Sequence, residues 1–257
     1  MSTPLLEIRG LTKSFQGQTV LRDVSFSVCE GTITALIGKS GEGKSVLLKH
    51  IVKLMRPDAG EILYKGRNIA TMKGQELSLF RKKCSFMFQG MALFDSMTVF
   101  ENIALPLRER TKMSSTSIAH RVDQVMKELE LGAVGAKYPS QISGGMQKRV
   151  ALARALITEP EIVLFDEPTT GLDPIRKASV YRLILESRRR FSFTAIVVSH
   201  DIPDVFSVCE DIVMLDGGRI VYTGSSTDIV HDSNPTIQLF INSHGPLRES
   251  DLELATI

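Results

Sequence analysis

Three short runs of this chain are apolar almost without a break: residues 32–38 (TITALIG), 161–167 (EIVLFDE) and 193–200 (FTAIVVSH). A strand with one wet face alternates apolar and polar side chains, so a run without alternation belongs to a strand covered on both sides. That is the environment of a parallel sheet packed between layers, and it predicts an α/β fold. Each run also closes on residues foreign to a core: Gly38, the pair Asp166-Glu167, and His200. Ligands of open α/β sheets bind in the crevice at the carboxyl ends of the strands. Three segments far apart in the chain therefore point to one crevice.

Shorter patterns surround this frame. Residues 5–30 carry β patterns, including the alternation VSFSV at 24–28, and 61–69 (EILYKGRNI) reads as a hairpin around Lys65-Gly66. From about residue 71 to 156 the periodicity is largely helical, with a polar, serine-rich break expected at 112–117. Residues 212–224 (IVMLDGGRIVYTG) form a hairpin pattern turning at Asp216-Gly217-Gly218. One short apolar helix, IQLFI, stands in the tail after Gly224.

The strand tips carry phosphate chemistry. GKSGEGKS, comprising Gly38, Lys39, Ser40, Gly41, Glu42, Gly43, Lys44 and Ser45, fits G-x-x-x-x-G-K-[ST] between a strand and a helix that continues with Val46. Glycines let such a loop wrap its backbone N–H groups around phosphates, Lys44 reaches the β- and γ-phosphates, and the Ser45 hydroxyl is a ligand for Mg²⁺. Asp166 is placed as the acidic partner for the same Mg²⁺, and Glu167 to orient and deprotonate a water in line with the γ-phosphate. His200 is placed to donate to the γ-phosphate. Gln89 ends another apolar run; its spacing fits equally a contact to Mg²⁺ or the attacking water, and a solvated amide on a core stripe. A second helix start, Ser143-Gly144-Gly145, leads into Met146, Val150, Ala153 and Ile157 at helical spacing. It too suits an anion. One nucleotide site does not need two such starts.

Composition narrows the partners. The net charge of +2 over 257 residues does not suggest a nucleic-acid binder, and the dense basic run Arg188-Arg189-Arg190 reads as a solvated helix end. Cys29, Cys84 and Cys209 sit among apolar neighbours and read as small core residues of a reducing compartment. The start, MSTPLLEIRG, lacks signal-peptide character, and the longest uncharged apolar stretch, residues 84–94, is short of the roughly 20 residues of a membrane span. A cytoplasmic chain that does not itself cross a bilayer is expected.

Together the motifs resemble the ATP-binding cassette (ABC) ATPases: Walker A at GKSGEGKS, Q-loop at Gln89, signature at ISGGMQ, Walker B at IVLFDE, D-loop at Gly171-Leu172-Asp173 and switch His200. The resemblance covers residues 5 to about 225. It implies a P-loop NTPase (RecA-like) core with a mainly parallel sheet, an antiparallel β subdomain and a helical signature subdomain. The chain would be one ABC domain over 1–257, with 1–90 and 157–224 as the core, 91–156 as the helical part and 225–257 as a tail. Phe15, otherwise half of a core strand, falls where the family stacks an aromatic on adenine. In this family two chains pack head to tail, each ATP lying between Walker A of one and the signature of the other. Ser143, Gly144 and Gly145 would then serve the partner's ATP, and Asp173 would lie at the interface.

A finer resemblance is to the ATPases of Mla-type and Mce-associated phospholipid transporters, carried by residues 88–109 (FQGMALFDSMTVFENIALPLRE), Met146, 165–175 (FDEPTTGLDPI) and 234–247 (NPTIQLFINSHGPL). It implies an integral-membrane permease, a lipid-binding MCE-type subunit and a place on the cytoplasmic face of the inner membrane. Met91, Ala92, Leu93 and Phe94 would form the groove for a permease helix. A polar-solute importer, such as one for amino acids, shares every catalytic motif, and a soluble ABC clamp shares most of them.

Overall fold

The computed structural model describes residues 4–87, 92–202 and 204–243. Two sheets organise it. Strands β1 (Pro4–Phe15), β2 (Gln18–Cys29), β4 (Ala59–Tyr64) and β5 (Arg67–Asn68) form an antiparallel sheet in the order β2-β1-β4-β5. Strands β3 (Ile33–Ile37), β6 (Cys84–Met87), β7 (Ile162–Asp166), β8 (Thr194–Ser199), β9 (Asp211–Asp216) and β10 (Arg219–Ser225) form a second sheet in the order β10-β9-β3-β8-β7-β6. All its pairings are parallel except that of β10 with β9. The expected α/β fold, with its parallel and antiparallel parts and its helical part, is what the chain adopts.

The unbroken apolar runs now have their cause. Ala35, Val163, Phe165, Ala195, Val197, Ile212 and Met214 enter one core, with helices α3 (Val99–Arg110), α4 (Ser115–Glu128), α5 (Gly144–Leu156) and α6 (Pro174–Phe191). Their neighbours Leu36, Ile162, Leu164, Ile196, Val198, Val213 and Leu215 enter a second core, shared with the antiparallel sheet and helices α1 (Lys44–Ile51) and α2 (Gly74–Lys83). Successive side chains point to opposite faces, and both faces are dry. The tail helix α7 (Pro235–Asn242) lays Ile237, Phe240 and Ile241 on the first core.

Three expectations change. The helical stretch after residue 71 is interrupted by β6, which pairs with β7 from Cys84 opposite Ile162 to Met87 opposite Phe165. A run of four residues has no period that separates it from a helix; its pairing decides. The serine-rich break is shorter than expected, because Ser114 caps α4 by accepting from Ser117 N–H at 3.2 Å and the following serines are helical. The basic run is solvated only in part: Arg189 and Arg190 are exposed, Arg190 also donating to the Glu128 carbonyl, while Arg188 is half-buried and pairs with Glu210.

Of the cysteines, Cys84 and Cys209 are buried and Cys29 is half-buried. Burial pushes the Cys84 thiol up to about 12 and raises that of Cys209 further, so neither is a ready nucleophile. No helix among the described residues is long and apolar enough to cross a membrane.

Glu161, at the foot of β7, joins the two sheets. It accepts from Tyr64 Oη at 2.5 Å, Lys65 Nζ at 2.8 Å and Lys83 Nζ at 3.0 Å. Burial alone would raise its pKa, but the bonds from Lys65, Tyr64 and Lys83 outweigh that and hold it at about 2, below the ordinary 4.5. A depressed carboxylate stabilises the fold above its unfolded pKa and loses that contribution as pH falls through its folded value. Glu161→Gln should therefore lower Tm at neutral pH by about 2–4 °C, for a loss of ~1 kcal/mol. In thermal melts the gap from wild type should close as pH falls from 4.5 towards 2.

Candidate functional site

The loop between β3 and α1 is shaped by close approaches. Gly38 has φ +147°, and a Cβ there would stand 2.2 Å from the Leu215 carbonyl oxygen of β9. Gly43, the N-cap of α1 at φ +96°, leaves 2.8 Å between a Cβ and Val20 Cγ1. Glycine is required at both. The β9–β10 turn supports the loop from the side: Gly218 N–H donates to Glu42 Oε2 at 3.2 Å, and Lys39 lies 3.7 Å from Asp216. Ser40 and Gly41 are exposed, while Val46 is half-buried and packs on the second core.

Lys44 is only 4% exposed, and its Nζ donates to the Gly38 carbonyl at 2.8 Å and the Lys39 carbonyl at 2.7 Å. The ammonium thus curls the loop around itself. Burial lowers its pKa, against the pull of Glu167, Glu42 and Asp166. Ser45 Oγ donates to Asp166 Oδ1 at 2.9 Å. Burial raises the Asp166 carboxyl; the Ser45 bond opposes and neighbouring Glu167 adds to the rise. A hydroxyl and a carboxylate held together at a half-buried point are oxygen donors suited to Mg²⁺, whose charge would offset the burial of Asp166.

Glu167 follows at φ +51°, a left-handed conformation that non-glycine residues seldom adopt. Its N–H donates to the Val198 carbonyl of β8 at 3.0 Å. Its carboxylate accepts from Thr170 Oγ1 at 2.9 Å and faces His200 Nδ1 at 3.5 Å. The carboxyl ends of β3, β7 and β8 thus bring Lys44, Ser45, Asp166, Glu167 and His200 together, as their sequence positions led us to expect.

Other candidates stand elsewhere. Phe15 ends β1 40% exposed, with Lys13 Nζ 5.4 Å from the ring centroid, so it is not a core residue. Ser143 caps α5, accepting from Met146 N–H at 3.3 Å, and Gly144 and Gly145 are exposed with open space where a Cβ would be. Among the described residues, no hydrogen bond joins these three to the phosphate loop. Asp173 caps α6 through Arg176 N–H at 3.1 Å and is exposed beside Ile175, itself 81% exposed. Gln89 and Met91 lie outside the described residues.

Sequence reading missed a polar cluster behind the site, Thr169, Lys177, Tyr181, Ser199 and Asp201. Only Asp201 carried a signal, a charge directly after His200 at the end of an apolar run. A groove of about 460 Å³ opens between β6, α3 and α5, lined by Leu54, Phe86, Ala92, Phe94 and Pro106. Of the residues expected to form it, Leu93 is half-buried and packs against the first core instead. The groove is braced by Arg154 of α5, whose Nη1 donates to the Ala92 carbonyl at 2.7 Å. Buried Asn102 binds Phe94 N–H at 2.9 Å and the carbonyls of Phe94, Met97 and Thr98, each at 3.0 Å.

Comparison with known proteins agrees with this geometry. A family model described as ABC transporter matches residues 21–170. The chain is 38% identical over 251 residues to the probable ribonucleotide transport ATP-binding protein mkl of Mycobacterium leprae (strain TN), covering 96% of this chain and 72% of the relative. It is 37% identical over 245 residues to the intermembrane phospholipid transport system ATP-binding protein MlaF of Escherichia coli (strain K12), covering 95% and 91%. Among solved structures, cbiO1 from Clostridium perfringens, part of the ABC transporter complex cbiONQ, superposes with a TM-score of 0.82 at 26% identity, covering 89% and 91%. The dimeric, post-hydrolysis cassette MJ0796 bound to ADP and Pi has a TM-score of 0.75 at 31% identity, covering 86% and 98%. Phosphate loop, acidic strand tip, signature helix and these likenesses agree: the chain belongs to the ABC transporter family, as one of its ATP-hydrolysing subunits.

Proposed function

We propose that this chain works as half of a head-to-tail homodimer that hydrolyses two ATP on the cytoplasmic face of the inner membrane and drives a permease moving phospholipid. The observation that carries the dimer is the pair of phosphate-binding helix starts. One is wrapped around Lys44, and the other, at Ser143-Gly144-Gly145, is exposed and, among the described residues, has no hydrogen bond to it. A second copy supplies the missing half, with Asp173 at the contact, and the dimeric state of the related cassette MJ0796 supports this reading.

Within each site the backbone of residues 38–43 and Lys44 bind the phosphates, and Phe15 stacks on the adenine. Ser45 and Asp166, with Gln89, would hold Mg²⁺, whose charge would offset that of the phosphates. Glu167 accepts a proton from the attacking water, whose oxygen bonds to the γ-phosphorus as the bond to ADP breaks. Thr170 and His200 hold the Glu167 carboxylate from two sides. His200 also donates to the γ-phosphate.

The groove beside Phe94 receives a permease helix by its apolar face. Phospholipid is favoured as cargo by the MlaF relatives, of which the chain spans 91% of the length, and an MCE-type subunit would receive the lipid. A second reading, a polar-solute importer, is favoured by the relative named for ribonucleotide transport.

Glu167→Gln should retain ATP binding and lose turnover by about 10²-fold or more, measured by phosphate release and nucleotide titration. Lys44→Ala should lose nucleotide affinity itself. Full turnover in the first variant removes Glu167 as the base. Phe94→Glu should leave basal ATPase unchanged and release the chain from its membrane partner in mild-detergent co-purification, and retained assembly would refute the groove. Phospholipid recovered with the wild-type complex supports the cargo; a solute-binding protein without lipid supports the second reading.

A further inference from the structure

The polar cluster behind His200 has no part in the roles given above. Asp201 is 8% exposed; its Oδ2 accepts from Thr169 Oγ1 at 2.5 Å and its Oδ1 pairs with Lys177 Nζ. Thr169 Oγ1 lies 3.2 Å from Tyr181 Oη, which lies 2.8 Å from Ser199 Oγ. Ser199 Oγ in turn accepts from Asp201 N–H at 2.9 Å, closing the ring. Thr169, Tyr181 and Ser199 are each 1% exposed.

A buried carboxylate is costly unless it is paired, and apolar side chains of similar volume often serve stability as well or better. What this cluster supplies is position. The carboxylate takes one donor from each of two segments. Thr169 stands two residues beyond Glu167, and Asp201 directly follows His200. Lys177 stands one helical turn beyond Asp173, its N–H bonded to the Asp173 carbonyl at 3.0 Å. The ion pair therefore joins the start of α6 to the tip of β8, one residue beyond His200, which itself faces Glu167.

We propose that Lys177 is a positioning residue for ATP hydrolysis: paired with Asp201, it fixes the tip of β8 so that His200 stays against Glu167. The same tie makes the Asp173 segment and His200 move as one body. A second copy closing on Asp173 is thereby felt at His200. This rests on the reading of Glu167 and His200 as the hydrolytic pair.

The test compares the full-length wild-type protein with Lys177→Met, Lys177→Arg and the double variant Lys177→Met/Asp201→Asn, measuring kcat, ATP affinity and Tm. Lys177→Met should lower kcat by about tenfold or more while ATP affinity stays within about twofold. Lys177→Arg keeps a cationic donor within reach and should keep most of the turnover. The double variant removes the unpaired buried charge, so Tm should recover while kcat stays low. A role in stability alone predicts that kcat returns with Tm. That return, or a normal kcat in Lys177→Met, overturns the proposal. A wild-type chain without ATPase activity would instead overturn the hydrolytic reading beneath it.

Discussion

Strand β3 is hydrogen-bonded along both edges, to β8 on one side and β9 on the other, and all five of its residues are buried. Its side chains feed two separate cores in alternation. A segment held this way has only its ends free to do chemistry. At the carboxyl end the chain must leave the sheet past the Leu215 carbonyl, which only Gly38 can do. The loop geometry, the burial of Lys44 and the register of Asp166 beside Ser45 all follow from where β3 is fixed. Position at the site is thus a consequence of apolar packing.

That dependence explains what could be read from the chain alone. The tips of β3, β7 and β8 were legible because a doubly buried strand leaves a run without alternation and an abrupt polar end. The two helix starts were legible because serine and glycine at an N-terminus have a local reason to be there. Strand β6 was not, since a run of four residues acquires strand identity only from pairing with β7. The exposure of Phe15 was equally hidden, because the free side of β1 at that point is a tertiary fact. Leu93 and Phe94 are neighbours in one apolar run, yet one packs against the core and the other lines the groove. The ring around Asp201 is the furthest from sequence: Lys177 looks like any exposed helical lysine until α6 is laid against β8.

The electrostatics of the crevice point the same way. Lys44, Asp166 and Glu167 are all withdrawn from water, wholly or in part, and each is held by a neighbour of fixed geometry. Such groups reorganise little when charge develops between them, which is the condition for electrostatic stabilisation of a transferring phosphoryl group. The exposed start of α5 has donors of the same kind and, among the described residues, no hydrogen bond to an anionic group of its own chain. The central claim is that a second copy brings the two together.

Mixing tests that claim directly. A Ser143→Arg chain keeps its phosphate loop and loses the helix start; a Lys44→Ala chain does the reverse. Each alone should be inactive, and an equimolar mixture should regain turnover, because a mixed dimer contains one intact composite site. Full activity of Ser143→Arg by itself, or silence of the mixture while mixed dimers form, would contradict completion of the site by a partner.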